Sequence, residues 1–250
     1  MTTEGKLLIM CALPRVGSSV FVGDMWRSSE VGEPREYFNP GRFERTANEW
    51  GLSVRDLAGY CDQLQKRTRS SNGVVGVKLM VRHLRWLAEQ GMLPAEQGRL
   101  RALVESFGQV QPVIVRVSRH DKLRQAISLM KARQTGKWGS HGTARGEATF
   151  DEEALTRAVI DLVKMESLWD RELEASGMEP DLSFVYEEHL ASPEERYRAL
   201  VSLLRMVGSP DPEGAAAKQR GNERSLERQA DETTEAWVNR FIGWARPPGR

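Results

Sequence analysis

Three short stretches hold residues whose types and spacing could do chemistry. "PRVGSSVF" (14–21) places Arg15, Gly17, Ser18 and Ser19 at the entry to a predicted helix. Glycine permits close backbone approach, the serines add hydroxyls, and a helix N-terminus adds N–H donors and a favourable dipole, so this stretch can cradle an anion. It lacks the GK[ST] ending of a nucleoside triphosphatase loop. "SRHDKLRQAIS" (118–128) sets Arg119 at a strand end and Ser128 about two and a half turns into the next helix. The two can hold one phosphate if the strand end folds back beside that helix. "GEPREYF" (32–38) holds Glu33 and Glu36 around Pro34 and Arg35. Proline pushes Glu33 toward extended geometry, and at the second position of a turn it would aim both carboxylates the same way.

Taken singly, each stretch favours a plainer reading: a solvated turn with an internal Glu–Arg contact, a capped Gly-Ser-Ser turn, a surface arginine near a helical serine bonded to its own backbone. The conjunction changes the balance. Two strand-to-helix junctions each carry an arginine and a serine, which suits a ligand with two separate anionic ends.

The elements that must position these residues follow from hydrophobic periodicity. "KLLIMCAL" (6–13) is an apolar run of strand length ended by Pro14, and "NGVVGVKLMV" (72–81) and "PVIVRVS" (112–118) are β-branched runs suited to parallel core strands. After the last of these, Leu123, Ala126, Ile127 and Met130 share a helical face, with Gly136 past its end. Residues 152–175 read as a long amphipathic helix, "LSFVYEEHL" (182–190) as a late strand, "SPEERYRALVSLLRMVG" as a helix capped by Ser192 with Pro193 first, and "ADETTEAWVNRFIGW" as a terminal helix. This alternation predicts an α/β fold, a mostly parallel central sheet flanked by helices, with ligands beyond the carboxyl ends of the strands. The stretches 135–148 and 213–225, rich in Gly and Arg, read as long functional loops.

The length of 250 residues suits one domain, 1–250. A formal charge of +1 supplies no global field for nucleic acid or an anionic membrane, and no apolar run reaches membrane-span length. Cys11 and Cys61 are too few for a disulfide framework, so a cytoplasmic setting is expected, and the scattered histidines lack metal-ligand spacing, so no metal is expected. Of Trp26, Trp50, Trp86, Trp169, Trp237 and Trp244, most are expected to pack rather than to stack on a sugar.

Read together and in order, "LPRVGSS", "GEPREYF", "GVKLM", "VSRHDKLRQAISLMKARQTGKW" and "LERQADETTEAWVNRF" resemble the bacterial trehalose 2-sulfotransferase family over residues 7 to about 241. That resemblance implies the sulfotransferase architecture, which is P-loop nucleoside triphosphate hydrolase-like. It also implies 3′-phosphoadenosine 5′-phosphosulfate (PAPS) as donor, with adenosine 3′,5′-bisphosphate as product, and a small-molecule hydroxyl acceptor that is a sugar or sugar-like. By the same resemblance Arg15, Gly17, Ser18 and Ser19 surround the 5′-phosphosulfate, Arg119 and Ser128 hold the 3′-phosphate, Glu36 is the general base and Glu33 contacts the acceptor. Arg228 and Gln229 join the cofactor site; Lys78, Gln125, Gln134 and Trp138 lie near cofactor or acceptor. In-line transfer by this scheme needs no metal, and the resemblance further implies a homodimer. Val16 and Ser19 stand where the family pattern has serine and threonine.

The alternatives are the same reaction on a specialised metabolite such as an antibiotic precursor, a nucleotide-binding phosphotransferase, and an inactive binding protein. The acceptor-side segments 39–53 and 136–148 show no close match to the family, and acceptor identity is encoded in such loops.

Overall fold

A computed structural model describes residues 5–96, 98–138, 143–218 and 232–245. Four parallel strands, β1 (Gly5–Ala12), β2 (Val74–Met80), β3 (Val110–Ser118) and β4 (Leu182–Val185), lie in the order β2-β1-β3-β4. From Leu7 to Ala12 every β1 residue is buried, as in a parallel strand covered by helices on both faces, and this is why the sequence shows a continuous apolar run rather than an alternation.

Helices α1 (Ser18–Ser28), α2 (Pro40–Glu49) and α3 (Leu57–Thr68) join β1 to β2. The next crossover, α4 (Val81–Glu89) and α5 (Arg99–Glu105), carries the chain past β1 to β3. The sheet therefore switches direction between β1 and β3, where a doubly wound fold opens its ligand crevice. Then come α6 (Lys122–Thr135) and α7 (Glu152–Ala175) before β4, and α8 (Pro193–Val207), α9 (Pro212–Ala217) and α10 (Glu232–Ala245) after it. Local chemistry marks several of these boundaries. Asp121 and Asp151 accept from backbone N–H groups at the starts of α6 and α7, Ser192 and Glu195 form a capping box ahead of α8, and Gly136 closes α6 in the left-handed region.

Two expectations need correction. The late strand stops at Val185, and Tyr186–Leu190 forms a π-helical turn. β4 pairs only with β3, whose last ladder residue is Ser118 opposite Val185, so the chain beyond has no strand to bond. The turn is held instead by Glu187, which accepts from the N–H groups of His120 and Asp121 at 3.0 and 3.1 Å. The stretch 213–225 is not loop throughout: its start belongs to α9, capped by Asp211 with Pro212 first, and 219–225 lie outside the described residues.

The main core runs through all four strands, and a second cluster joins α6, α7 and α10 through Ala126, Ile127, Leu155, Leu162 and Trp237, with Met165 packed against both. Trp169 and Trp237 are buried and Trp50 and Trp86 pack against the core, whereas Trp26 and Trp244 are exposed. Among the described residues no helix is long and apolar enough to cross a membrane.

Candidate active site

The carboxyl ends of the strands gather most of the predicted residues into two adjoining clusters. Gly17 stands at the N-cap of α1 with φ of 78°, and a Cβ there would lie 2.6 Å from the Tyr186 ring, so both conformation and space require glycine. The first intrahelical bonds run from Val20 and Phe21 to the Gly17 carbonyl. No side chain caps the helix and no acid sits in its first turn, which leaves the N–H groups of Ser18 and Ser19 as the donors of an anion cradle. Val16 is fully buried and packs in the main core.

The first cluster joins the two strand-to-helix junctions. Arg15 donates from Nε to Ser128 Oγ at 2.8 Å and from Nη1 to the Trp138 carbonyl at 2.7 Å. Arg119 Nη1 donates to the Arg15 carbonyl at 3.2 Å, and its guanidinium stacks over Tyr186 at 4.6 Å. Burial first, then the Arg119 charge, lowers the Arg15 guanidinium from its ordinary value. Arg119 thus lies near enough to Arg15 for its charge to be felt, and an oxyanion in this region would relieve that repulsion. Arg119 Nε is buried without a hydrogen-bond partner among the described residues, and Glu187 Oε1 is 3.5 Å away. Arg15 itself adopts a left-handed φ of 65°, a strained conformation for a side chain of its size and one that clusters at ligand-binding sites. Gln125, fully buried on α6, fixes the loop by donating to the Pro14 carbonyl at 2.7 Å.

The second cluster is built on β2. Arg35 forms an isolated parallel bridge with Val77, and the Lys78 N–H donates to the Arg35 carbonyl at 3.0 Å, so the GEP segment covers the free edge of β2. Gly76 permits this approach: a Cβ there would meet the Val31 carbonyl oxygen at 2.5 Å. The register sets Glu36 beside the almost fully buried Lys78, whose Nζ lies 3.1 Å from Glu36 Oε1 and donates to Ser19 Oγ at 3.0 Å. One ammonium therefore ties the anion cradle to the acid. Burial works to raise the Glu36 carboxyl, but Lys78, with His83 and Arg82, outweighs it and holds Glu36 below the ordinary carboxylate value. Burial lowers the Lys78 ammonium, with Glu36 opposing.

His83 lies outside every motif of the sequence. It is fully buried on α4, its Nδ1 accepts the Met80 N–H at 3.2 Å, and its unpartnered Nε2 points toward Glu36 Oε2 at 3.7 Å. Burial pushes its pKa down to about 4, so at neutral pH it is an uncharged imidazole with its proton on Nε2. Tyr186 was also missed, having been read as part of a strand.

Not every predicted residue joins these clusters. Glu33 pairs with Arg35 at 3.1 Å, the internal contact expected of a solvated turn, and both side chains are about half-exposed. Gln134 uses both ends of its amide on the backbone of Thr149, accepting at 2.8 Å and donating at 3.1 Å. Trp138 contributes its carbonyl while its side chain is exposed. Arg228 and Gln229 lie outside the described residues.

A parallel α/β sheet that brings an uncapped helix N-terminus, an arginine pair and a lysine-linked carboxylate to its strand ends suits a transferase of anionic groups. The Stf0 sulphotransferase family model matches residues 7–243, and the chain belongs to that family: it is a sulfotransferase. It is similar, at 28% identity over 96% of both chains, to the trehalose 2-sulfotransferase of Mycobacterium tuberculosis, and at 26% over the same shares to that of Mycolicibacterium smegmatis.

The lysine link makes a testable statement about pH. If Glu36 serves as a general base it must be ionised, so activity should be lost as pH falls through its pKa, and with that pKa lowered the acid limb of kcat/KM should lie below the ordinary glutamate range. Lys78→Met removes the main charge opposing burial, and the limb should move to higher pH. Turnover at neutral pH should drop by about 10²–10³-fold, as when a preorganised donor is removed from the reacting centre. A pH–rate profile with an unmoved limb would show that Lys78 does not set Glu36.

Proposed function

We propose that the protein transfers the sulfuryl group of 3′-phosphoadenosine 5′-phosphosulfate to a hydroxyl of a sugar or sugar-like acceptor, with Glu36 as general base and residues 1–250 as one catalytic domain. The observation that carries this reading is Lys78, which bonds Ser19 of the anion cradle and Glu36 of the GEP segment together. The names of the two similar enzymes support a sugar as acceptor.

The donor is a nucleotide with two anionic ends, and its bound form supplies sulfur joined to a good phosphate leaving group. The residues fit such a molecule. Arg15, Arg119 and Ser128 would hold the 3′-phosphate, and the unused N–H groups of Ser18 and Ser19 the 5′ end. This assignment moves Arg15 from the phosphosulfate to the 3′-phosphate pair, because its Nε bonds Ser128. Glu36 would take the acceptor proton as the oxygen–sulfur bond forms and the bond from sulfur to the phosphate oxygen breaks. Lys78 would meet the charge growing on that phosphate oxygen, the larger electrostatic share of catalysis. Neutral His83 can donate to the second Glu36 oxygen once the acceptor draws the carboxylate closer.

Calorimetric titration with adenosine 3′,5′-bisphosphate, using adenosine 5′-monophosphate as control, tests the donor class. We expect micromolar binding that needs the 3′-phosphate and that weakens by about 10–100-fold in Arg119→Ala, the usual worth of a hydrogen bond to a charged group. Equal binding of the two nucleotides would sink the proposal.

A further inference from the structure

We infer that the hydroxyl acceptor carries an anionic group, a phosphate or carboxylate, held by arginines of α2. This rests on the sulfotransferase reading and names the substrate class of the same site. Next to the reacting centre lies a cavity of about 590 Å³, bounded by Ser19, Lys78 and Glu36 on one part of its wall and by Arg35, Arg42 and Arg45 on another. That volume suits a disaccharide bearing one extra group. Glu36 is the one carboxylate among the described residues of the wall, and Lys78 already neutralises it.

The remaining charges are poorly matched within the protein. Arg35 is paired with Glu33. Arg45 lies 3.9 Å from Glu49 with both side chains well exposed, a contact of little worth. Arg42, half-buried, has no ion pair or side-chain hydrogen bond among the described residues. Three residues apart, Arg42 and Arg45 share one face of α2. Arg42 stands in the first turn, where the helix dipole disfavours a cation, and that turn carries no acid to compensate. Folding alone gives no reason for two guanidiniums here. A ligand oxyanion gives one, because the guanidinium fork matches phosphate and carboxylate geometry in paired hydrogen bonds. A neutral sugar would leave these donors unused. The donor's own sulfuryl group is the competing source of negative charge, and the test separates the two.

The experiment compares trehalose with its 6-phosphate, and a neutral disaccharide with a uronic-acid counterpart, following adenosine 3′,5′-bisphosphate release in the wild-type protein and in Arg42→Ala/Arg45→Ala. We expect kcat/KM at least about tenfold higher for the charged member of a pair. That preference should collapse in the double variant through KM, while calorimetric affinity for adenosine 3′,5′-bisphosphate is retained. Arg42→Lys, which keeps a charge without the fork, should retain part of the preference, and a thermal melt checks that each variant folds. Equal use of charged and neutral acceptors by the wild type would overturn the inference. So would a double variant that loses nucleotide affinity and keeps the preference, which would assign the arginines to the donor. Failure of the wild type to bind the nucleotide at all would instead bring down the sulfotransferase reading beneath it.

Discussion

Glu36→Gln is expected to lower kcat by about 10²–10⁴-fold, the range a positioned general base contributes, while leaving affinity for adenosine 3′,5′-bisphosphate within a few-fold of the wild type. The substitution keeps the shape of the side chain and leaves its amide oxygen as an acceptor for Lys78, so the anion cradle on the other side of Lys78 keeps its geometry. What it removes is the proposed proton acceptor. Because Lys78, His83 and Arg82 outweigh burial and keep Glu36 below the ordinary carboxylate value, the wild-type carboxylate is ionised throughout the neutral range. Rapid-mix turnover and calorimetry on the same preparations check both halves. A fully active Glu36→Gln protein would remove Glu36 as the base.

Gly32→Ala is expected to cause the largest structural loss. Gly32 has φ of 68°, and a Cβ there would fall inside contact distance of the Thr68 carbonyl oxygen, which belongs to the backbone and cannot swing aside. The left-handed conformation alone costs about 1–2 kcal/mol for a residue with a Cβ. With the collision added, a destabilisation of about 3 kcal/mol should lower Tm by about 6–12 °C in a chain of this size. The functional effect should be uneven. Residue 32 anchors the segment that carries Glu33 and Glu36, whereas Arg15 and Arg119 follow β1 and β3 and Ser128 lies on α6, so turnover should fall more than nucleotide affinity does. Gly23→Ala is the matched control. It lies inside α1, a Cβ there would meet only the flexible Arg27 side chain, and alanine should stabilise the helix by about 0.5–1 kcal/mol. Equal melting and turnover for Gly32→Ala and wild type would show that this turn does not position the acid.

Much of the fold is legible locally. Apolar runs of strand length mark β1, β2 and β3 to within a few residues, and caps such as Ser192 with Glu195, or Gly136 at the end of α6, mark helix ends. A parallel sheet follows from strands and helices in alternation, since parallel strands need crossovers. Helices α2 to α5 are less legible because they are short and their apolar faces are interrupted by charge. The end of β4 was misread because "YEEHL" carries no breaker, and only the length of the β3 ladder terminates it.

The site divides in the same way. Sequence by itself indicated which loops follow strands and, through a family resemblance, named Gly17, Arg15, Arg119, Ser128 and Glu36 as candidate site residues. Strand and helix placement follows from residue type and periodicity along one chain, whereas the candidate roles rest on the order of several short motifs. Only the tertiary structure decided which charges meet: that Arg15 bonds Ser128, 113 positions away, that Lys78 joins Ser19 to Glu36, that Glu33 turns aside to Arg35, and that His83 and Arg42 face the site at all. Coulomb energy and hydrogen bonding depend on distance and burial in space, and spacing along the chain encodes neither.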